Sequence, residues 1–130
     1  MLRGKVPVKE MAQNMATLTE RVATRIFAGL VVETYPHTPL FLYDPSSQIQ
    51  KAVTIPVVYV GGVLSKENME QTLGDGFGFV QIGRATIRDP QFINKLKQGK
   101  IEESDCDICN RCVAAMDAGG VLCVTAEEEK

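Results

Sequence analysis

The sequence predicts an α/β fold built from consecutive βα units, and three observations carry the prediction. Residues 55–60 (IPVVYV) and 77–82 (FGFVQI) are short, unbroken apolar runs, the pattern of parallel strands covered on both faces. Each run ends in glycine, at Gly61-Gly62 and at Gly83-Arg84, and each is followed by a helical pattern. Gly61 and Gly83 stand 22 residues apart, so the unit repeats, and two consecutive βα units imply parallel strands with both carboxyl ends on one rim.

The remaining elements follow in order. Met11, Met15, Leu18, Val22 and Ile26 recur at steps of four, three, four and four, which predicts one helix with a core-facing stripe. Pro7 suits its first turn and Gly29 its end. Pro36, Pro39 and Pro45 then block regular structure, and residues 34–45 read as an irregular connection. Asp44-Pro45 opens a short helix to about Ala52. After the first strand, Ser65 caps a helix with Glu67 in its first turn and Met69 and Leu73 inward, and Gly74-Asp-Gly76 breaks it. After the second strand, Asp89-Pro90 starts a helix that buries Phe92, Ile93 and Leu96 and stops at Gly99.

Composition removes several function classes. With 130 residues, 45% hydrophobic and 23% charged, the chain is neither disordered nor fibrous. Its net charge of −2 speaks against a nucleic-acid surface. No stretch approaches the ~18 apolar residues of a membrane span, and the amino terminus lacks a secretory core, so a cytoplasmic protein with no membrane partner is expected. His37, the one histidine, stands in the Pro-rich connection with no acidic residue beside it, and reads as a loop imidazole rather than a base.

Two constellations carry chemistry. Glycines at adjacent strand ends let backbone N–H groups approach an anion, and Arg84 adds a permanently charged fork for phosphate oxygens. Gly61, Gly62, Gly83 and Arg84 are therefore the candidate phosphate residues. The competing reading makes the glycines tight turns and Arg84 a solvated charge. The second constellation is Cys106, Cys109, Cys112 and Cys123, spaced C-x2-C-x2-C-x10-C, with Gly119-Gly120 as a turn before the last. Such thiolates suit an iron–sulfur cluster, a zinc ion or a small knuckle of reduced cysteines, and the spacing leaves all three open.

Residues from about 55 to 124 resemble the carboxyl-terminal end of the Old Yellow Enzyme or NADH:flavin oxidoreductase family. The resemblance rests on Ile55-Pro-Val-Val-Tyr-Val-Gly-Gly, Gly76-Phe-Gly-Phe-Val-Gln-Ile-Gly-Arg-Ala and Ile87-Arg-Asp-Pro. Residues 1–43 are similar to the family's segment after the sixth strand. The resemblance implies the C-terminal portion of a (β/α)8 TIM barrel that contains FMN, with these as the last two barrel strands. It places the FMN phosphate on Gly61, Gly62, Gly83 and Arg84. Cys106, Cys109, Asn110 and Cys112 match the Cys-x-x-Cys-Asn-x-Cys pattern of the iron–sulfur, dienoyl-CoA reductase-like branch, whose four-iron cluster passes electrons to the flavin. The interval to Cys123 is shorter than in that branch.

The expected organisation is a partial barrel over residues 1–99, a Cys-rich segment over 100–124 and an acidic tail over 125–130. The expected function is the C-terminal portion of an FMN-dependent NAD(P)H oxidoreductase acting on a small molecule, incomplete as this chain alone. The alternative is a non-catalytic βα module that binds a phosphate, a metal or a partner chain. Strand edges taken from a closed barrel predict pairing with a second copy or with an N-terminal barrel portion.

Overall fold

The computed structural model describes residues 3–116 and 120–129. The elements are α1 (Val8–Gln13), α2 (Leu18–Val31), α3 (Tyr43–Ala52), β1 (Val58–Val60), α4 (Lys66–Gly74), β2 (Phe79–Gln81), α5 (Arg84–Arg88), α6 (Phe92–Lys97), α7 (Arg111–Ala115) and α8 (Val124–Glu128). They fall into two compact units, one of His37–Cys106 and one of Met1–Pro36 with Asp107–Lys130. These units cut the chain differently from the sequence boundaries after 99 and 124.

The central unit is the predicted pair of βα repeats. β1 and β2 are parallel, with Val58 opposite Phe79, Tyr59 opposite Val80 and Val60 opposite Gln81. The Ser65 hydroxyl accepts from the Asn68 N–H at 3.2 Å and caps α4, the helix that crosses between the strands. Tyr59, Val63 and Phe77 form a core against which Tyr43, Met69, Val80 and Ile82 pack, and Ala85, Phe92 and Leu96 form a second. α3 begins at Tyr43, slightly ahead of the predicted Asp44. The Tyr43 hydroxyl donates to Asp75 Oδ2 at 2.6 Å and Gln50 Nε2 to the Gly76 carbonyl at 3.2 Å, which ties α3 to the turn before β2.

Three expectations for this unit need correction. The strands are covered on one face only: Val58, Val60 and Phe79 are 50%, 49% and 63% exposed. Paired residues share a face of a sheet, and the helices pack against the Tyr59–Val80 face. Leu73 and Ile93, expected inside, are exposed as well. Asp89 does not open a helix. It closes α5, an element the sequence reading missed, and its Oδ1 accepts from the Gln91 N–H at 2.9 Å just before α6.

In the other unit the single helix predicted through Met11 and Ile26 is two. α1 ends at Gln13, and Thr17 restarts the chain with a capping box: its hydroxyl accepts from the Glu20 N–H while Glu20 Oε2 accepts from the Thr17 N–H. The stripe is divided accordingly. Met11 and Met15 line an apolar pocket of about 250 Å³ with Pro7 and Val113, whereas Leu18, Val22 and Ile26 are exposed on α2. α2 also runs through Gly29 to Val31, because two residues of helix beyond one glycine cost little. None of the described helices is long and apolar enough to cross a membrane.

Candidate phosphate-binding site

Gly61-Gly62 leaves the carboxyl end of β1 and Gly83-Arg84 that of β2, and parallel pairing sets both on one rim. The four residues line one pocket of about 190 Å³, together with Phe41, Val60 and Gln81. The structure thus brings together every residue that the sequence reading nominated for phosphate.

The glycines serve different purposes. Gly61 and Gly62 have φ of +139° and +71°, backbone that side-chain-bearing residues rarely adopt. A Cβ on Gly62 would stand 2.9 Å from the Leu40 nitrogen and the Thr38 oxygen, and one on Gly61 would stand 3.2 Å from Leu42 Cβ. The turn at 38–42 lies on this pair, so packing requires both glycines whatever the pocket holds. At Gly83 the space is open: among the described residues beyond its two chain neighbours, no atom lies within 4 Å of the place a Cβ would take. Gly83 is the glycine at which a ligand can approach bare backbone.

Hydrogen bonds hold the rim. The Tyr59 hydroxyl donates to the Gly61 carbonyl at 2.8 Å, and burial pushes that phenol above its ordinary pKa. Below Gly83, its carbonyl accepts from the Thr86 and Ile87 N–H groups at 3.0 and 3.1 Å and from the Thr86 hydroxyl at 2.7 Å. Among the described residues Arg84 is the one charged side chain lining the pocket. A single permanent cation beside an open glycine fits one phosphate group.

Phe41 and Gln81 are pocket residues that sequence reasoning missed. Gln81 carried a signal, since it is the polar interruption in an otherwise apolar run. Phe41 carried none, because nothing local brings the 38–42 turn to the rim. His37 contacts the Phe41 ring edge-on at 6.5 Å.

The cysteines are placed otherwise. Cys112 is buried on α7, while Cys106, Cys109 and Cys123 are half-buried, and none is in a disulfide. Among the described residues no three Cys, His, Asp or Glu side chains are gathered to hold a metal ion. Gly119 of the predicted turn lies outside the described residues. The segment is shaped by other bonds: the Cys106 N–H donates to Ser104 Oγ at 3.3 Å and the Cys109 N–H to Asp107 Oδ1 at 3.2 Å. Asn110, at φ +60°, buries its amide.

Comparison with known proteins supplies the context. The family model described as dihydrouridine synthase (Dus) matches residues 35–126. Over 117 residues the chain is 29% identical to a 4,4'-dithiodibutanoate disulfide reductase of Rhodococcus erythropolis, covering 90% of this chain and 29% of that protein. It is 34% identical over 73 residues to a bilirubin reductase of Mediterraneibacter gnavus (55% of this chain, 11% of the other). It is 37% identical over 67 residues to an NADH oxidase of Thermoanaerobacter brockii (50% and 10%). The chain therefore spans under a third of the length of these curated relatives. No solved structure matches it.

Proposed function

Since the chain belongs to the dihydrouridine synthase family, a flavin-binding TIM-barrel family, we propose that it forms the phosphate-gripping last two βα units of an FMN-dependent NAD(P)H oxidoreductase of the Old Yellow Enzyme kind. The observation that carries this reading is the single pocket in which Gly61, Gly62, Gly83 and Arg84 meet at the carboxyl ends of two parallel strands. Loops after the last two strands of such barrels are a recurrent phosphate site. Arg84 holds the phosphate oxygens, Gly83 lets backbone approach them, and the 38–42 turn on Gly61-Gly62 closes the wall. When bound, the flavin supplies hydride transfer between NAD(P)H and a small-molecule acceptor. The names of the three relatives, two reductases and an NADH oxidase, support redox chemistry of this kind. The net charge of −2 gives no basic excess to support an RNA substrate.

Cys106, Cys109, Cys112 and Cys123 are the residues that a four-iron cluster would use in the dienoyl-CoA reductase-like branch. Among the described residues no three metal-ligating side chains are gathered, and no step of the proposed function runs through them. The open sheet face at Val58, Val60 and Phe79 supports assembly with further barrel strands or a second copy.

Titration of the chain with FMN and with riboflavin, followed by flavin fluorescence, tests the proposal. Saturable binding that favours FMN is expected. Binding of neither, or equal affinity for both, would overturn a phosphate-gripping role.

A further inference from the structure

We propose that Gln81 is a second ligand-recognition residue of this site, one that holds a hydroxyl of the flavin's ribityl chain while Arg84 holds the phosphate; this rests on the flavin reading above. Val58 pairs with Phe79 and Val60 with Gln81, so these four side chains share one face, opposite the face that packs against the helices. Three of the four are apolar, and all three are about half exposed or more. Gln81 is the polar member. It stands at the carboxyl end of β2, three residues before Arg84, and lines the same pocket.

An apolar sheet face of this kind is suited to burial against further barrel residues, which fill a barrel interior in layers. A carboxamide in that setting needs both its donor and its acceptor satisfied, because an unsatisfied buried amide is costly. The pocket supplies no second charged side chain for it among the described residues. A ribityl hydroxyl satisfies it fully, since a hydroxyl donates to Oε1 and accepts from Nε2. Arg84 cannot play that part, because a guanidinium only donates. The two residues thus divide the ligand by chemistry, with a cation for the anionic end and an amide for the neutral polyol.

The test is a set of affinities measured on the full chain, wild type and Gln81→Leu, for FMN, riboflavin and inorganic phosphate. Leucine matches the apolar neighbours on this exposed face, and phosphate affinity reports that the pocket remains folded. We expect Gln81→Leu to weaken FMN and riboflavin alike, by about fivefold to tenfold, and to leave phosphate affinity unchanged. Unchanged affinity for both flavins would overturn the assignment while the phosphate site stands. Equal losses for phosphate and flavins would also overturn it, by showing that Gln81 merely shapes the pocket. A wild-type chain that binds phosphate but neither flavin would overturn the flavin reading, and the Gln81 assignment with it.

Discussion

The Asn110 side-chain amide donates to the carbonyl oxygen of Arg3 at 2.7 Å, across 107 positions of sequence. The same nitrogen donates to the Lys5 carbonyl at 2.9 Å, and the Lys5 N–H donates to the Ile108 carbonyl at 3.2 Å. An asparagine that in sequence belongs to a cysteine motif is here the pin that joins the two ends of one compact unit. Its left-handed backbone is one that asparagine tolerates better than most residues. Arg111 beside it donates to Glu10 Oε1 at 2.8 Å and to both Glu128 carboxylate oxygens at 2.7 Å, which joins α1, α7 and α8.

Asn110→Ala is expected to lower unfolding free energy by about 1–3 kcal/mol, because the carbonyls of Arg3 and Lys5 lose a buried donor and the left-handed backbone becomes strained. Asn110→Asp keeps the shape but cannot donate when ionised, and should cost at least as much. Urea denaturation measures both. Stability within 0.5 kcal/mol of wild type, about the scatter of neutral surface changes, would contradict the pin.

The glycines at the rim separate packing from binding. Gly62→Ala places a Cβ against the backbone of the 38–42 turn at a positive φ and should destabilise the fold by about 2 kcal/mol or more. Gly83→Ala meets open space at an ordinary φ, so thermal stability should hold while FMN affinity falls. Equal stability of the two variants would show that the turn does not rest on Gly62.

The central unit was largely legible in the sequence, because its signals are local. Ser65 caps where a serine before a helical pattern should, and the apolar runs at 55–60 and 77–82 contain the strands. What escaped depends on distant contacts or on competition between signals. The Thr17–Glu20 capping box overrode an apolar stripe that continued through it. The role of Gly61-Gly62 as a seat for the 38–42 turn could not be read from residues 20 positions away. Of the nominated site residues, the glycines and Arg84 meet in one pocket, whereas Cys106 belongs to one compact unit and Cys109, Cys112 and Cys123 to the other.

Thiol reactivity follows burial in the cysteine segment. Cys106, Cys109 and Cys123 are partly exposed and Cys112 is buried on α7. A mild thiol reagent should modify three sulfurs readily under native conditions and Cys112 only on unfolding, with no metal released. Protection of all four, with iron and sulfide recovered after anaerobic purification, would instead indicate a cluster.

Acid should weaken the central unit through two carboxylates. Arg88 Nε and Nη2 donate to Asp105 Oδ2 at 3.0 and 2.7 Å, and Lys95 Nζ lies 2.6 Å from Asp89 Oδ2. These hydrogen bonds hold both carboxyls below their ordinary values. A carboxyl with a lower pKa folded than unfolded adds stability that is fully present above the unfolded value, about 4, and is lost as pH falls through the folded one. Thermal melts should be flat from pH 7 to 5 and fall below pH 4, with Asp105→Asn less stable at pH 7 and less acid-sensitive. Parallel profiles for the variant and wild type would contradict the pairing.

The central claim is that Arg84 grips the phosphate of a flavin at the ends of two parallel strands. Calorimetric titration of FMN into the wild-type chain and Arg84→Ala tests it most directly. Loss of a charge-assisted fork predicts a fall in FMN affinity of about tenfold to a hundredfold, from roughly 1.5–3 kcal/mol, with riboflavin binding unaffected. Equal FMN affinity in the two proteins would make Arg84 a surface charge and contradict the account.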